Sequence, residues 1–114
     1  MKKYFILVST LVLSVFLFAV EASAGYNANM TGTIKGIYTY AQSDAIYMKL
    51  QNQPTSHPGC NPAYFVIDKS VPESRRQMMF SRFLAAFVAK ETVNIGYDKE
   101  GGCADGYIRV YRAG

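Results

Sequence analysis

Residues 63–98 read AYFVIDKSVPESRRQMMFSRFLAAFVAKETVNIGYD, and the apolar period changes twice within them. Ala63–Asp68 alternates, with Phe65 and Ile67 opposed to Tyr64 and Val66, which is the two-residue period of a strand. Met79, Phe80, Phe83, Leu84, Phe87 and Val88 then recur at steps of three and four, the period of a helix. Thr92–Asp98 returns to alternation, with Val93, Ile95 and Tyr97 against Thr92, Asn94 and Gly96. The start of the helix is marked chemically. Ser70 stands as its N-cap, Pro72 falls in the first turn, and Glu73 has capping-box spacing from Ser70. The end falls near Lys90. The phenylalanine side is expected to face inward, leaving Arg75, Met78, Arg82, Ala85, Ala86 and Ala89 outward. Small residues on that outer side would let a second helix approach closely.

Working outward, Thr31–Tyr40 is rich in Thr, Ile and Tyr and reads as a first strand. A bend is expected at Gly36, since glycine inside a strand marks a bulge or barrel corner. Gln42-Ser43-Asp44 is a polar turn. Ala45–Leu50 alternates, with Ile46, Met48 and Leu50 against Tyr47 and Lys49, completing a hairpin. Pro54, Pro58, Gly59 and Pro62 make Gln51–Pro62 a loop. Beyond the quoted stretch, Lys99–Gly106 is a glycine-rich loop. Tyr107–Arg112 is a last strand, with Ile108 and Val110 against Tyr107, Arg109 and Tyr111.

The order is therefore β-β-β-α-β-β, a β-rich fold with one helix. It is the order of a five-stranded OB-fold, a Greek-key barrel. The alternative is an open antiparallel sheet with a helix laid across it. The cysteines favour the barrel. Cys60 precedes the third strand and Cys103 the fifth, which an OB barrel places side by side and parallel. Neighbouring strands lie about 4.8 Å apart, within reach of a disulfide.

The chain has 114 residues, with 12 Lys+Arg against 8 Asp+Glu and a net charge of +4. One domain is all that length supports. Lys2 and Lys3 precede an apolar run, Tyr4 to Val20, broken only by Ser9, Thr10 and Ser14. Ala22-Ser23-Ala24 follows. This is the pattern of a secretory signal peptide over residues 1–24; the alternative is an uncleaved anchor. Residues 25–30 then form a polar arm and residues 31–114 the folded domain, with no membrane span after cleavage. Export puts the protein in the periplasm or outside the cell, where Cys60 and Cys103 are expected to bond. The remaining basic excess is mild and unclustered, unlike a nucleic-acid footprint, so no nucleic acid is expected as partner.

Catalytic constellations are missing. His57 is the sole histidine, and it reads as a solvated loop side chain, because no nucleophile with an oriented base surrounds it. There is no Cys-x-x-Cys. Asp98, Glu100 and Asp105 lack the alternating spacing of a calcium loop. No enzyme activity, metal or cofactor is expected. The tyrosines carry more information. By alternation Tyr47, Tyr64, Tyr107 and Tyr111 point away from the core, together with Lys49 and Arg109. OB-folds bind oligosaccharides and oligonucleotides across strands 2 and 3, so these residues form the expected ligand or partner face.

Three stretches carry a family resemblance: Phe65-Val66-Ile67-Asp68, then Phe80-Ser81-Arg82-Phe83-Leu84-Ala85-Ala86, then Val93-Asn94-Ile95-Gly96-Tyr97. With a signal peptide, one disulfide and a helix between strands three and four, the chain from about Gly32 to Tyr111 resembles the B subunits of bacterial toxins, especially those of subtilase cytotoxin and pertussis-like typhoid toxin. The resemblance implies a homopentameric ring that binds sialylated or other host glycans. It places Ser43 and Asp44, in the turn after the first strand, as a candidate glycan contact. The cysteines stand at other positions than in that family, and the C-terminal end is shorter. The expected function is a secreted, non-catalytic module recognising a glycan or a partner protein. The alternative is an assembly subunit that forms oligomers without a small ligand.

Overall fold

The computed structural model describes residues 26–114. The signal peptide expected over residues 1–24 lies outside the described residues. A seven-stranded sheet carries one helix: β1 (Ala28–Thr39), β2 (Ile46–Leu50), β3 (Asn61–Ile67), α1 (Glu73–Ala89), β4 (Thr92–Tyr97), β5 (Cys103–Ala104), β6 (Tyr107–Arg109) and β7 (Arg112–Ala113). The strand order is β5-β6-β3-β2-β1-β4-β7. Among the described residues no helix is long and apolar enough to cross a membrane.

β1 serves two partners. Ala28 to Thr33 pairs antiparallel with β4, and Ile34 to Thr39 pairs antiparallel with β2. The register slips between Ile34 and Gly36, at the bend expected from Gly36. A Cβ there would lie 2.4 Å from the Tyr38 hydroxyl, so glycine lets the Tyr38 ring fold back over the strand.

The C-terminal run curls the sheet. β6 lies parallel to β3 and β7 antiparallel to β4, yet only Val110 and Tyr111 separate them. Val110 N–H donates to the Val66 carbonyl at 2.9 Å, and Tyr111 N–H donates to the Gly96 carbonyl at 2.8 Å. One run of chain thus joins both ends of the sheet order. This is why the structure has seven strands where five are expected. The last expected strand breaks where it leaves β3 for β4, and Cys103–Ala104 adds a short strand paired to Ile108 and Tyr107. β1 also begins inside the expected polar arm, because Ala28 to Met30 already pair with β4.

The inward residues are those that alternation selects. Met48, Leu50, Phe65, Ile67, Val93, Ile95, Ile108 and Val110 are buried in one cluster with Phe83 and Ala86 of α1. Cys60 and Cys103 are bonded, with Cα atoms 5.6 Å apart across 43 residues of sequence. The two loops meet because β3 and β6 run side by side in parallel.

The helix differs from expectation at its start and on its faces, and it ends where expected, near Lys90. It starts at Glu73 with Pro72 as N-cap and no side-chain capping bond. Ser70 is drawn away by Asp68, whose Oδ2 accepts from the Ser70 amide at 3.1 Å and from its hydroxyl. At the far end Lys90 adopts the left-handed conformation, φ 56°. Glu91 N–H donates to the Ala86 carbonyl at 2.9 Å and Lys90 N–H to that of Phe87 at 3.3 Å, which is a Schellman ending. Phe83 and Ala86 are the buried helix residues. Met79 and Phe80 pack partly against the core, whereas Leu84, Phe87 and Val88 are exposed. Ala86, expected outward, faces in.

Candidate functional site

On the sheet face opposite the main core, Tyr47, Ala45, Val66 and Ala104 form a second buried cluster flanked by Tyr64 and Tyr107. The strand period places these side chains there, since each neighbours a core residue in sequence. The rings pack edge to face. Tyr47 lies 5.6 Å from Tyr64 and 5.8 Å from Tyr107, and Tyr64 lies 5.2 Å from Tyr107. Lys49 places its Nζ 4.6 Å over the Tyr64 ring, a cation–π contact.

Two members of the array are absent from the sequence-based set. Tyr38 packs on Tyr64 at 5.7 Å and Tyr40 on Tyr47 at 5.1 Å. Hairpin register is the signal that finds them: Tyr38 stands directly across from Tyr47. They are also the open rings, 37% and 49% exposed, whereas Tyr47 is only 6% exposed. The hydroxyl of Tyr47 donates to the Asp105 carboxylate. Asp105 and Gly106 both have positive φ in the β5–β6 turn, which aims that carboxylate back across the sheet. The Tyr64 hydroxyl beside Tyr40 pushes its phenol pKa up, first by hydrogen bonding and then by charge repulsion.

Arg109 and Tyr111 sit differently from the other expected residues. The Arg109 Nη2 pairs with Asp68 Oδ2 at 3.2 Å, and its buried Nε has no partner. Burial of Asp68 opposes its ionisation, but the Ser70 hydroxyl and amide and the Arg109 guanidinium outweigh that and hold its carboxyl below the ordinary value. Tyr111 stacks only loosely beneath Arg109, at 5.8 Å. Its hydroxyl lies toward Gly102, where a Cβ would come within 2.6 Å. It therefore belongs to the loop that carries Cys103.

Ser43 and Asp44 lie in the turn between β1 and β2, where the Ser43 amide donates to the Tyr40 carbonyl at 3.2 Å. The Ser43 hydroxyl accepts from the Ala45 amide at 3.1 Å. Both residues line a cleft of about 240 Å³ with Glu73, Arg76 and Phe80. Ser43 also borders a cleft of about 160 Å³ with Asp68, Lys69 and Asp105.

His57 is more than a solvated side chain. Its ring contacts the Asp98 carbonyl at 2.8 Å and the amides of Gly59 and Cys60 at 3.1 and 2.9 Å. Asp98 is likewise engaged. The Glu100 amide is the main cause that lowers its carboxyl pKa, and the Gly101 amide and Asn27 add to it against some burial.

No family model, no curated protein and no solved structure matches this chain.

Proposed function

We propose that this protein is an exported, non-catalytic binding module of the OB-fold type, and that its tyrosine array receives a glycan. The observation that carries the reading is the convergence of Tyr38, Tyr40, Tyr47, Tyr64 and Tyr107 on one face, with the two hairpin rings left open. Buried Tyr47, anchored on Asp105, is the platform; Tyr38 and Tyr40 are the contact surface. Open rings offer apolar faces for sugar C–H groups, and their hydroxyls and Lys49 offer hydrogen bonds. Ser43 and Asp44 extend the surface with polar groups. Arg109 supports it through Asp68, and Tyr111 supports the adjoining loop.

The OB-type reading draws support from the C-terminal run, parallel to β3 and antiparallel to β4, with the helix between those strands. The proposed kinship with toxin B subunits rests on that order, the disulfide and the quoted stretches. The decisive test is a glycan array probed with the protein and with Tyr38→Ala and Tyr40→Ala. Defined glycans bound by the wild type and lost by about tenfold or more in each variant, with unchanged circular dichroism, are expected. Equal binding by all three proteins overturns the assignment of the face.

The assembly reading has its own observation. Leu84, Phe87 and Val88 form an exposed apolar strip along α1, and such strips mark contact surfaces. Sedimentation of wild type and Val88→Glu separates the two readings. An oligomer dissolved by Val88→Glu, without any glycan binding, favours the assembly subunit.

A further inference from the structure

We infer that His57 is an acid-opened clasp between the two loops that the disulfide joins. Its Nδ1 lies 3.1 Å from the Gly59 amide nitrogen and 2.9 Å from that of Cys60. Its Nε2 lies 2.8 Å from the Asp98 carbonyl oxygen. A backbone N–H can only donate and a carbonyl can only accept. The ring is therefore the neutral tautomer with its proton on Nε2. Nδ1 does for Gly59 and Cys60 what an Asx side chain does in a turn.

The facing loop is organised in the same way. Asp98 Oδ1 accepts from the amides of Glu100 at 2.9 Å and Gly101 at 3.2 Å, and from Asn27 Nδ2 at 3.2 Å. The loops touch where Gly59 meets Glu100, since a Cβ on Gly59 would lie 2.5 Å from the Glu100 carbonyl oxygen. His57 thus holds its own turn with one nitrogen and the neighbouring loop with the other.

A second proton on the ring has only Nδ1 to occupy. There it would point at two N–H groups that have lost their acceptor. The turn over residues 57–60 then opens, and the Cys60–Cys103 bond and the Asn61 N–H donating to the Gly106 carbonyl at 2.8 Å keep the connection. The charged residues of the facing loop are Asp98, Lys99 and Glu100. The Asp98 carboxylate attracts an imidazolium and so favours the opening in acid; Lys99 opposes it.

The test is NMR on the intact, disulfide-bonded protein. Imidazole nitrogen shifts at about pH 7.5 are expected to show an unprotonated Nδ1. Amide protection factors of Gly59 and Cys60 are expected to fall about tenfold between about pH 7.5 and about pH 5, while those of Val93 and Ile95 hold. His57→Asn keeps an acceptor for the two amides but cannot titrate, so its protection should stay constant across that range. A proton on Nδ1 at neutral pH, constant protection in the wild type, or the same fall in His57→Asn overturns the proposal.

Discussion

Asp68 shows how one residue can redirect its neighbours. It is buried, paired with Arg109 and bonded to Ser70, and these contacts take Ser70 from the helix start that the sequence suggests. Its carboxyl pKa is lowered in the folded state. The stability it contributes is therefore present above the unfolded carboxylate value, about 3.9, and is lost as pH falls through the folded value. Urea unfolding of Asp68→Asn should show a loss of about 1–3 kcal/mol at neutral pH, and a smaller drop than the wild type on further acidification. Equal acid sensitivity in both proteins would remove Asp68 from that role. The Tyr47–Asp105 contact gives a second expectation at this scale. Tyr47→Phe should cost about 1–2 kcal/mol, because it leaves the partly buried contact with Asp105 unmade, and denaturant midpoints will read it.

At the scale of elements, α1 divides its aromatic residues by role. Phe83 is 0% exposed and Phe87 38% exposed. Phe83→Ala should cost about 3–5 kcal/mol through the cavity it leaves. Phe87→Ala should cost much less, and equal losses in thermal or urea unfolding would refute the placement of the helix. The helix end offers a change of the opposite sign. Lys90 holds φ 56°, a conformation that costs a residue with a Cβ about 1 kcal/mol. Lys90→Gly should raise stability by a few tenths of that amount or more, the freedom of glycine in the unfolded chain taking back the rest, and a urea midpoint at or below that of the wild type would refute it.

For the whole molecule, the disulfide is among the larger single effects. A domain of this size has a small core, and the bond closes a loop of 43 residues. The chain-entropy relation gives about 4 kcal/mol for such a loop. Cys60→Ser with Cys103→Ser should lose that much, measured against wild type under non-reducing conditions. Intact stability in the double variant would mean that the parallel β3–β6 pairing alone holds the two loops. What was readable in advance follows from range. The inward side of the second, third, fourth and last expected strands was set by a period of two, as Met48, Phe65, Ile95 and Ile108 show, and the disulfide had only one intramolecular partner to choose. Three features depended on contacts made far along the chain. Met79 to Val88 spreads apolar residues over more helix surface than one contact can cover, so packing against β1, β4 and β7 chose Phe83 and Ala86 and left Leu84 and Val88 outside. Tyr38 and Tyr40 joined the array only through hairpin register. Arg109 met Asp68, and His57 met Asp98, only once the C-terminal run bridged β3 and β4, because a side chain's partner is fixed by which strands become neighbours and not by its own place in the sequence.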